Sequence, residues 1–242
     1  MTKLLVSGDS WTSCWPLEEE LGHRDFGWPN LVSSKLNYDL IDKSRAGSSN
    51  YRIYRKAFDG LLYNRPDVAI VFLTSWTRME TGSAYGEKPG RIYQHLMNNT
   101  SYQSEYVFKN FFNGYKNYSD MLRMIISLQK LSASLNIPCY FLDTFNNNLL
   151  FELTEDDFKQ ILSYNNTIFD NMDDERIVDK FNKVKMLTSQ IDTEFFISQI
   201  PYQTIVKNCS LDQGHPTKDG HTMIADVVLQ FLKEKYHGRK TI

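Results

Sequence analysis

Short hydrophobic runs alternate along the chain with longer segments in which hydrophobic residues recur every three or four positions. The short runs predict β-strands at 3–7, 38–41, 67–73, 137–142 and, with a weaker pattern, 195–200. The longer segments predict helices at about 28–36, 49–60, 118–135, 155–164, 176–190 and 217–236. Regular alternation of strands and helices is typical of an α/β domain with a parallel sheet.

Two of these segments indicate how the layers pack. The run at 67–73 reads Asp-Val-Ala-Ile-Val-Phe-Leu. An unbroken hydrophobic run of this kind is typical of a strand that is buried on both faces. The segment 119–134 instead carries one helical stripe of hydrophobic residues, at Met121, Leu122, Ile125, Leu128 and Leu131. Together these patterns predict a central sheet that is covered by helices.

We predict a single domain over residues 1–242, because the sequence shows no repeat, no low-complexity linker and no abrupt change in composition. Two connections are longer than a simple crossover requires. They lie at about 74–117 and 143–174, and we call them the first and the second insertion. In an open α/β sheet such connections lie at the carboxyl ends of the strands, where ligands bind.

Aromatic residues make up 14% of the chain, although its mean hydropathy is −0.44. The first insertion holds a dense group of rings, at Tyr93, Tyr102, Tyr106, Phe108, Phe111, Phe112 and Tyr115. These rings either pack the insertion onto the sheet or line a substrate cleft or a subunit interface. Tyr102 and Tyr106 are therefore candidates for substrate binding, and a homo-oligomer formed through this aromatic insertion is one of the alternatives.

Charge and hydropathy exclude several classes of function. A net charge of −2 creates no field that attracts nucleic acid. No hydrophobic stretch approaches the roughly 20 residues of a membrane helix, and the run at 4–6 is shorter than the about 7 residues that a signal peptide needs. The three cysteines are far apart, as is typical of thiols in a reducing compartment. We therefore expect a cytoplasmic protein with no nucleic-acid or membrane partner.

The first candidate for chemistry is Gly8-Asp9-Ser10, which follows the first predicted strand. A serine at this point can project its hydroxyl from the carboxyl edge of the sheet. If a helix begins there, its free N–H groups can stabilise an oxyanion. The alternative is a simple turn in which Asp9 or Ser10 caps the helix.

The second candidate is Asp212-Gln213-Gly214-His215-Pro216, just before the last predicted helix. A serine hydroxyl is a poor nucleophile until a base accepts its proton, and histidine suits this task near neutral pH. The imidazole then needs an acceptor on its other nitrogen, and an aspartate three residues earlier can reach it. The alternative is a polar loop in which Thr217 caps the helix.

No metal is predicted, because Asp212, His215, Asp219 and His221 do not match a strong metal-binding signature. The chain also contains neither the Gly-x-Gly-x-x-Gly pattern nor the P-loop pattern that would cradle a phosphate.

These two blocks, with the turn Ser44-Arg45-Ala46-Gly47-Ser48-Ser49-Asn50 after the second strand, resemble those of the SGNH (GDSL-like) hydrolase family. Gly27-Trp28-Pro29-Asn30-Leu31 and Asp219-Gly220-His221 add weaker likenesses. The resemblance spans nearly the whole chain apart from the two insertions. It implies a three-layer α/β/α sandwich of the flavodoxin-like type, with a five-stranded parallel sheet of order 2-1-3-4-5.

The resemblance also implies a function. Ser10 would be the nucleophile of a serine hydrolase, His215 its general base and then acid, and Asp212 the residue that orients His215. The backbone N–H groups of Ser10 and Gly47 would form the oxyanion hole. The substrates of the family are esters, thioesters and acylated sugars, so an esterase that deacetylates a carbohydrate-linked ester is one expectation. No cofactor is implied.

One block departs from the family pattern. After the third strand the family usually carries Gly-x-Asn-Asp, whose Asn side chain donates to the oxyanion, whereas this chain reads Leu-Thr-Ser-Trp-Thr-Arg at 73–78. Trp76 stands near the expected Asn; it either packs under the insertion or contacts substrate. Asn50, Ser75, Thr77 and Arg78 are candidates to replace the missing donor. The alternative to an active enzyme is a degenerate SGNH-fold protein that binds a ligand or serves as a structural or assembly component.

Overall fold

The computed structural model describes residues 1–15, 17–81, 90–92, 113–143, 153–163, 174–198, 202–207 and 215–237. Within these ranges the strands are β1 (Lys3–Ser7), β2 (Asp39–Asp42), β3 (Val68–Leu73), β4 (Met79–Thr81), β5 (Gly90–Ile92) and β6 (Cys139–Asp143). The helices are α1 (Ser10–Ser13), α2 (Leu17–Leu21), α3 (Trp28–Leu36), α4 (Asn50–Asp59), α5 (Gly114–Leu135), α6 (Glu155–Ser163), α7 (Asp174–Thr188), α8 (Tyr202–Ile205) and α9 (Lys218–Phe231). Turns of π-helix follow α4 at Gly60–Asn64 and α9 at Leu232–His237.

Strands β2, β1, β3 and β6 form a parallel sheet in that order. Leu5 of β1 lies opposite Ile41 of β2 and Ala69 of β3, and Val71 of β3 lies opposite Phe141 of β6. This order matches the first four positions of the predicted 2-1-3-4-5 sheet. Every residue of β3 is buried, as its unbroken hydrophobic run predicts.

Alternate residues of β3 divide the hydrophobic core into two layers. One set packs in a cluster with Ile53 of α4 and Tyr118 of α5. The other set packs in a cluster with Trp28 of α3 and Ile224 of α9. Because successive side chains of a strand point to opposite faces, helices cover both faces of the sheet. The predicted three-layer α/β/α architecture is thereby confirmed.

The position of the fifth predicted strand, 195–200, holds a single bridge among the described residues. Thr193–Phe195 form a turn of 3-10 helix, whose start is capped by Asp192 accepting a hydrogen bond from the Glu194 N–H at 3.0 Å. Phe196 then pairs in parallel with Phe141, and the next residue donates its N–H to the Phe141 carbonyl at 2.9 Å. The capped turn therefore overlaps the predicted strand only at Phe195, and the backbone at Phe196 is extended.

Both insertions are described in part. In the first, β4 and β5 form an antiparallel pair. In the second, α6 closely matches the helix predicted at 155–164. Most of the aromatic group in the first insertion, including Tyr102 and Tyr106, lies outside the described residues. Across the described ranges, no helix combines the length and the apolar character needed to cross a membrane.

Candidate active site

Ser10 stands where the first strand turns into a short helix. It is the first residue of α1, and the Asp9 carboxylate caps this helix by accepting a hydrogen bond from the Trp11 N–H at 3.0 Å. The turn is tight, because a Cβ atom at Gly8 would lie 2.0 Å from Thr12 Oγ1. None of the described residues accepts a hydrogen bond from the Ser10 N–H, as expected for the first turn of a helix.

His215 reaches Ser10 from the other end of the chain. Its Nε2 atom lies 2.9 Å from Ser10 Oγ, across a separation of 205 residues. The loop that carries His215 leads into α9, whose start is capped by Thr217 accepting a hydrogen bond from the Gly220 N–H at 3.2 Å. The structure thus brings together the two side chains that the sequence assigns to nucleophile and base.

Asp212 lies in the segment 208–214, outside the described residues, so its role as the partner of His215 stays a prediction. A neighbour of His215 that sequence reasoning missed is Trp15. Its ring meets the imidazole edge to face, with the ring centroids 5.0 Å apart. No motif marks Trp15, because the contact depends on how the end of α1 approaches the loop before α9.

Gly47 lies in a turn that docks beside the Ser10 segment. Its φ of +70° is in the left-handed region, where glycine is favoured. The turn closes through the Ser48 N–H donating to the Arg45 carbonyl at 3.2 Å, and the Arg45 N–H in turn donates to the Gly8 carbonyl at 3.1 Å. Two chain segments that carry predicted oxyanion donors are therefore joined through their backbones.

The block after β3 is fixed by the side chain of Asn50. The Asn50 amide donates to the Thr74 carbonyl at 2.7 Å and accepts from the Thr74 N–H at 2.9 Å. Asn50 is thus committed to structure through its oxygen and one of its two N–H groups. The Ser75 and Thr77 hydroxyls are 2.7 Å apart and hydrogen-bonded to each other.

Trp76 is only 8% exposed and belongs to the core cluster beneath α5. Its ring meets the Tyr118 ring edge to face, with centroids 6.0 Å apart. Most of the indole surface is therefore used for packing, which is the structural alternative to its predicted contact with substrate.

Arg78 makes a buried ion pair with Asp9. Arg78 Nη1 lies 2.6 Å from Asp9 Oδ2, and the two side chains are 10% and 0% exposed. The same carboxylate oxygen accepts a hydrogen bond from Thr74 Oγ1 at 2.7 Å. Sequence reasoning considered Asp9 only as a helix cap and Arg78 only as an oxyanion donor. The missed signal is that a carboxylate in a buried turn requires a cation, and Arg78 is the first one after β3.

Two further titratable groups lie close to the Ser10 helix or to His215. Burial, together with the charge of His215, lowers the pKa of His221 to about 4, so His221 is neutral near pH 7. Burial raises the pKa of the Cys14 thiol, at the end of α1, to about 12. Cys14 is therefore protonated and unreactive near neutral pH. Within the described ranges, no group of three or more His, Cys, Asp or Glu side chains is arranged to hold a metal ion.

Comparison with solved structures shows similarity over almost the whole chain. The esterase EstA from Pseudoalteromonas sp., in a structure inhibited by monoethylphosphonate, is 12% identical with a TM-score of 0.51, over 98% of this chain and 100% of that one. TesA is 12% identical with a TM-score of 0.52, over 96% and 99% of the two chains. A catalytic mutant of Axe2, an acetylxylan esterase from Geobacillus stearothermophilus, is 15% identical with a TM-score of 0.52, over 96% and 94%.

No protein-family model matches the sequence, and no curated protein matches it either. At identities of 12–15% the structural similarity establishes the fold. The chain has the α/β fold of the SGNH (GDSL-like) hydrolases, as the resemblance of its first and last blocks implied.

Proposed function

We propose that the chain is a serine-dependent ester hydrolase in which Ser10 is the nucleophile and His215 the general base. The single observation that carries this proposal is the distance of 2.9 Å between Ser10 Oγ and His215 Nε2. A hydrogen bond of this length lets the imidazole accept the hydroxyl proton as the oxygen attacks. The placement of Ser10 at the carboxyl end of β1, where open α/β sheets bind ligands, supports the same assignment.

The proposed reaction has two steps. Ser10 Oγ attacks the ester carbonyl while His215 takes its proton, and the tetrahedral intermediate expels the alcohol, which receives that proton from His215. Water then attacks the acyl-enzyme, again giving a proton to His215, which returns it to Ser10 Oγ as the carboxylic acid leaves. The cycle consumes one water molecule, regenerates Ser10 and His215, and requires no cofactor.

The oxyanion of each tetrahedral intermediate would be stabilised by the backbone N–H groups of Ser10 and Gly47. The first of these has no acceptor among the described residues, which supports this role. Asp212 would accept a hydrogen bond from Nδ1 of His215 and stabilise the imidazolium. Donors held in place before the reaction stabilise developing charge without reorganisation, so this arrangement suits acyl transfer.

The substrate class that we propose is a short acyl ester, including an acetyl group carried on a carbohydrate. The similarity to a protein described as an acetylxylan esterase supports this class.

The test is covalent labelling together with turnover. We expect a fluorophosphonate probe to label Ser10 and the protein to hydrolyse short p-nitrophenyl esters. Ser10→Ala should abolish labelling and lower turnover on the order of 10⁴-fold or more. Ser13→Ala is the matched control, because it removes a buried hydroxyl from the same helix that has no hydrogen-bond partner among the described residues. The control should retain both activities.

The opposite result would favour the second candidate function, a protein that binds a ligand without turnover. The replacement of the family Asn by Trp76, which packs in the core, is the observation that favours this alternative. A folded wild-type protein that is neither labelled at Ser10 nor active on a broad panel of esters would contradict the hydrolase proposal.

A further inference from the structure

We propose that Arg78 is a positioning residue, which holds the Ser10 turn against the Gly47 turn and so fixes the two backbone donors of the oxyanion hole. This inference rests on the proposed function and deepens it. It gives a physical reason why the chain can work without the Asn side chain that its fold family usually carries at this point.

The Asp9 carboxylate is the group through which Arg78 acts on Ser10, because Asp9 immediately precedes Ser10 in the chain. Its Oδ1 atom accepts from the Trp11 N–H, and its Oδ2 atom accepts from Thr74 Oγ1 and from Arg78 Nη1. The carboxylate is completely buried, so these three donors replace the water that it has lost. Because Asp9 is covalently joined to Ser10, the direction in which the Ser10 N–H points depends on this cluster.

Arg78 also contacts the turn that carries Gly47. Arg78 Nη1 also lies 3.5 Å from the Ser48 carbonyl, a long contact that continues from Asp9 to the residue after Gly47. The backbone hydrogen bond from the Arg45 N–H to the Gly8 carbonyl joins the same two segments. The guanidinium and this backbone bond together hold the donors at 10 and 47 at a fixed separation.

The backbone that carries Arg78 is itself held in place. The paired hydrogen bonds between Asn50 and the Thr74 peptide fix the chain where it leaves β3. Arg78 therefore reaches Asp9 from a rigid base, and a planar guanidinium keeps its orientation better than a flexible ammonium. Preorganised donors depend on such supporting contacts, since a displacement of about 1 Å can cost about 10²-fold in rate.

The experiment compares Arg78→Gln, Asp9→Asn and the double variant with the wild type. The measured quantities are kcat and KM for a p-nitrophenyl ester and the rate of Ser10 phosphonylation. We expect each single variant to lower kcat and the phosphonylation rate by about 10²-fold, with KM changed by less than about threefold. The double variant should lose no more than either single one, because all three remove the same link.

Arg78→Lys supplies a readout that a purely structural role would not move. Lysine restores the charge opposite Asp9 but cannot contact Asp9 and Ser48 through one planar group, so we expect partial recovery of kcat relative to Arg78→Gln. Lys183→Gln is the control. It removes an ion pair of the same length, 2.6 Å to Asp179, between two residues of α7, and kcat should stay within about twofold of the wild type.

Several outcomes would overturn the inference. If Arg78→Gln lowers kcat but Asp9→Asn does not, and the double variant is additive, Arg78 acts on the oxyanion directly. If the wild type is labelled at Ser10 and the Arg78 and Asp9 variants are labelled as fast as the wild type, the inference fails and the proposed function stands. If the wild type is not labelled, the proposed function itself fails. Should a single variant not fold, the double variant carries the test, because it leaves no unpaired buried charge.

Discussion

Gly47 is the residue at which backbone conformation and proposed chemistry coincide. Its φ of +70° suits glycine, and an alanine there costs roughly 1–2 kcal/mol of conformational strain. We expect Gly47→Ala to lower the free energy of unfolding by about this amount and also to lower ester turnover, because relief of the strain would rotate the N–H group that we propose as an oxyanion donor. Urea unfolding and initial rates measure the two effects.

Gly22 provides the matched control for this substitution. Its φ is +72°, and a Cβ atom there would meet nothing within 4 Å. Gly22→Ala should therefore reproduce the loss of stability without any loss of turnover. Equal rates for the Gly22 and Gly47 variants would remove the Gly47 N–H from the proposed oxyanion hole.

At the residue scale, the sequence predicts those site residues that stand in a continuous motif. Ser10 and His215 each stand in a short block, and in the structure Ser10 Oγ lies 2.9 Å from His215 Nε2. The ion pair between Asp9 and Arg78 was not predicted, because it joins residues from different blocks and depends on the path of the chain after β3. Spacing along a sequence does not encode such a path.

At the scale of elements, the position of His215 depends on where α9 begins. Thr217 caps this helix, two residues after His215. We expect Thr217→Ala to cost about 1 kcal/mol of stability and to lower kcat several-fold, because a frayed first turn would let His215 move away from Ser10. Thermal unfolding and ester kinetics at a saturating substrate concentration measure these effects.

The control is another helix cap of the same kind. Asn113 caps α5 by accepting a hydrogen bond from the Lys116 N–H at 2.8 Å, and this helix carries none of the proposed catalytic groups. Asn113→Ala should cost a similar amount of stability at unchanged kcat. If both variants slow turnover equally, the effect of Thr217 is general loss of stability rather than displacement of His215.

The elements that sequence reasoning placed best are those in which hydrophobic periodicity and burial agree. Strand β3 and helix α3 coincide with their predictions almost residue by residue. Helix α5 begins earlier than predicted, because the Asn113 cap starts it before the hydrophobic stripe does. At the fifth predicted strand, the 3-10 turn that Asp192 caps ends at Phe195, and Phe196 is extended and pairs in parallel with Phe141. Local side-chain caps are therefore what periodicity alone overlooks.

At the scale of the whole molecule, His221 links stability to pH. Its folded pKa of about 4 lies below the value of about 6.5 that histidine has in an unfolded chain. Between these two pH values the unfolded state binds more protons than the folded state does. The contribution of neutral His221 to the free energy of unfolding is therefore fully present above about pH 6.5 and is lost as the pH falls toward 4. The loss approaches roughly 3 kcal/mol at its limit.

Urea unfolding at pH 7.5 and pH 4.5 tests this link. His221→Leu should flatten the difference between the two pH values, because the buried group that must be protonated is gone. His23→Gln is the control, since the His23 side chain is 51% exposed and should leave the pH dependence of the wild type in place. An unchanged pH dependence in the His221 variant would contradict the prediction.

The two hydrogen bonds between the Asn50 side chain and the Thr74 backbone separate the first insertion from the rest of the fold. A side-chain amide carries the same donor and acceptor as a peptide group. The Asn50 side chain, at the start of α4, therefore forms with the peptide after β3 the pair of hydrogen bonds that a neighbouring strand would form. The chain between Thr74 and Arg78 is thus held at both ends. Changes in length and composition after Arg78 are therefore separated from the Ser10 turn by a segment that is fixed at both ends. Under the proposed function, such changes can alter which substrate is bound while Ser10 and His215 keep their positions.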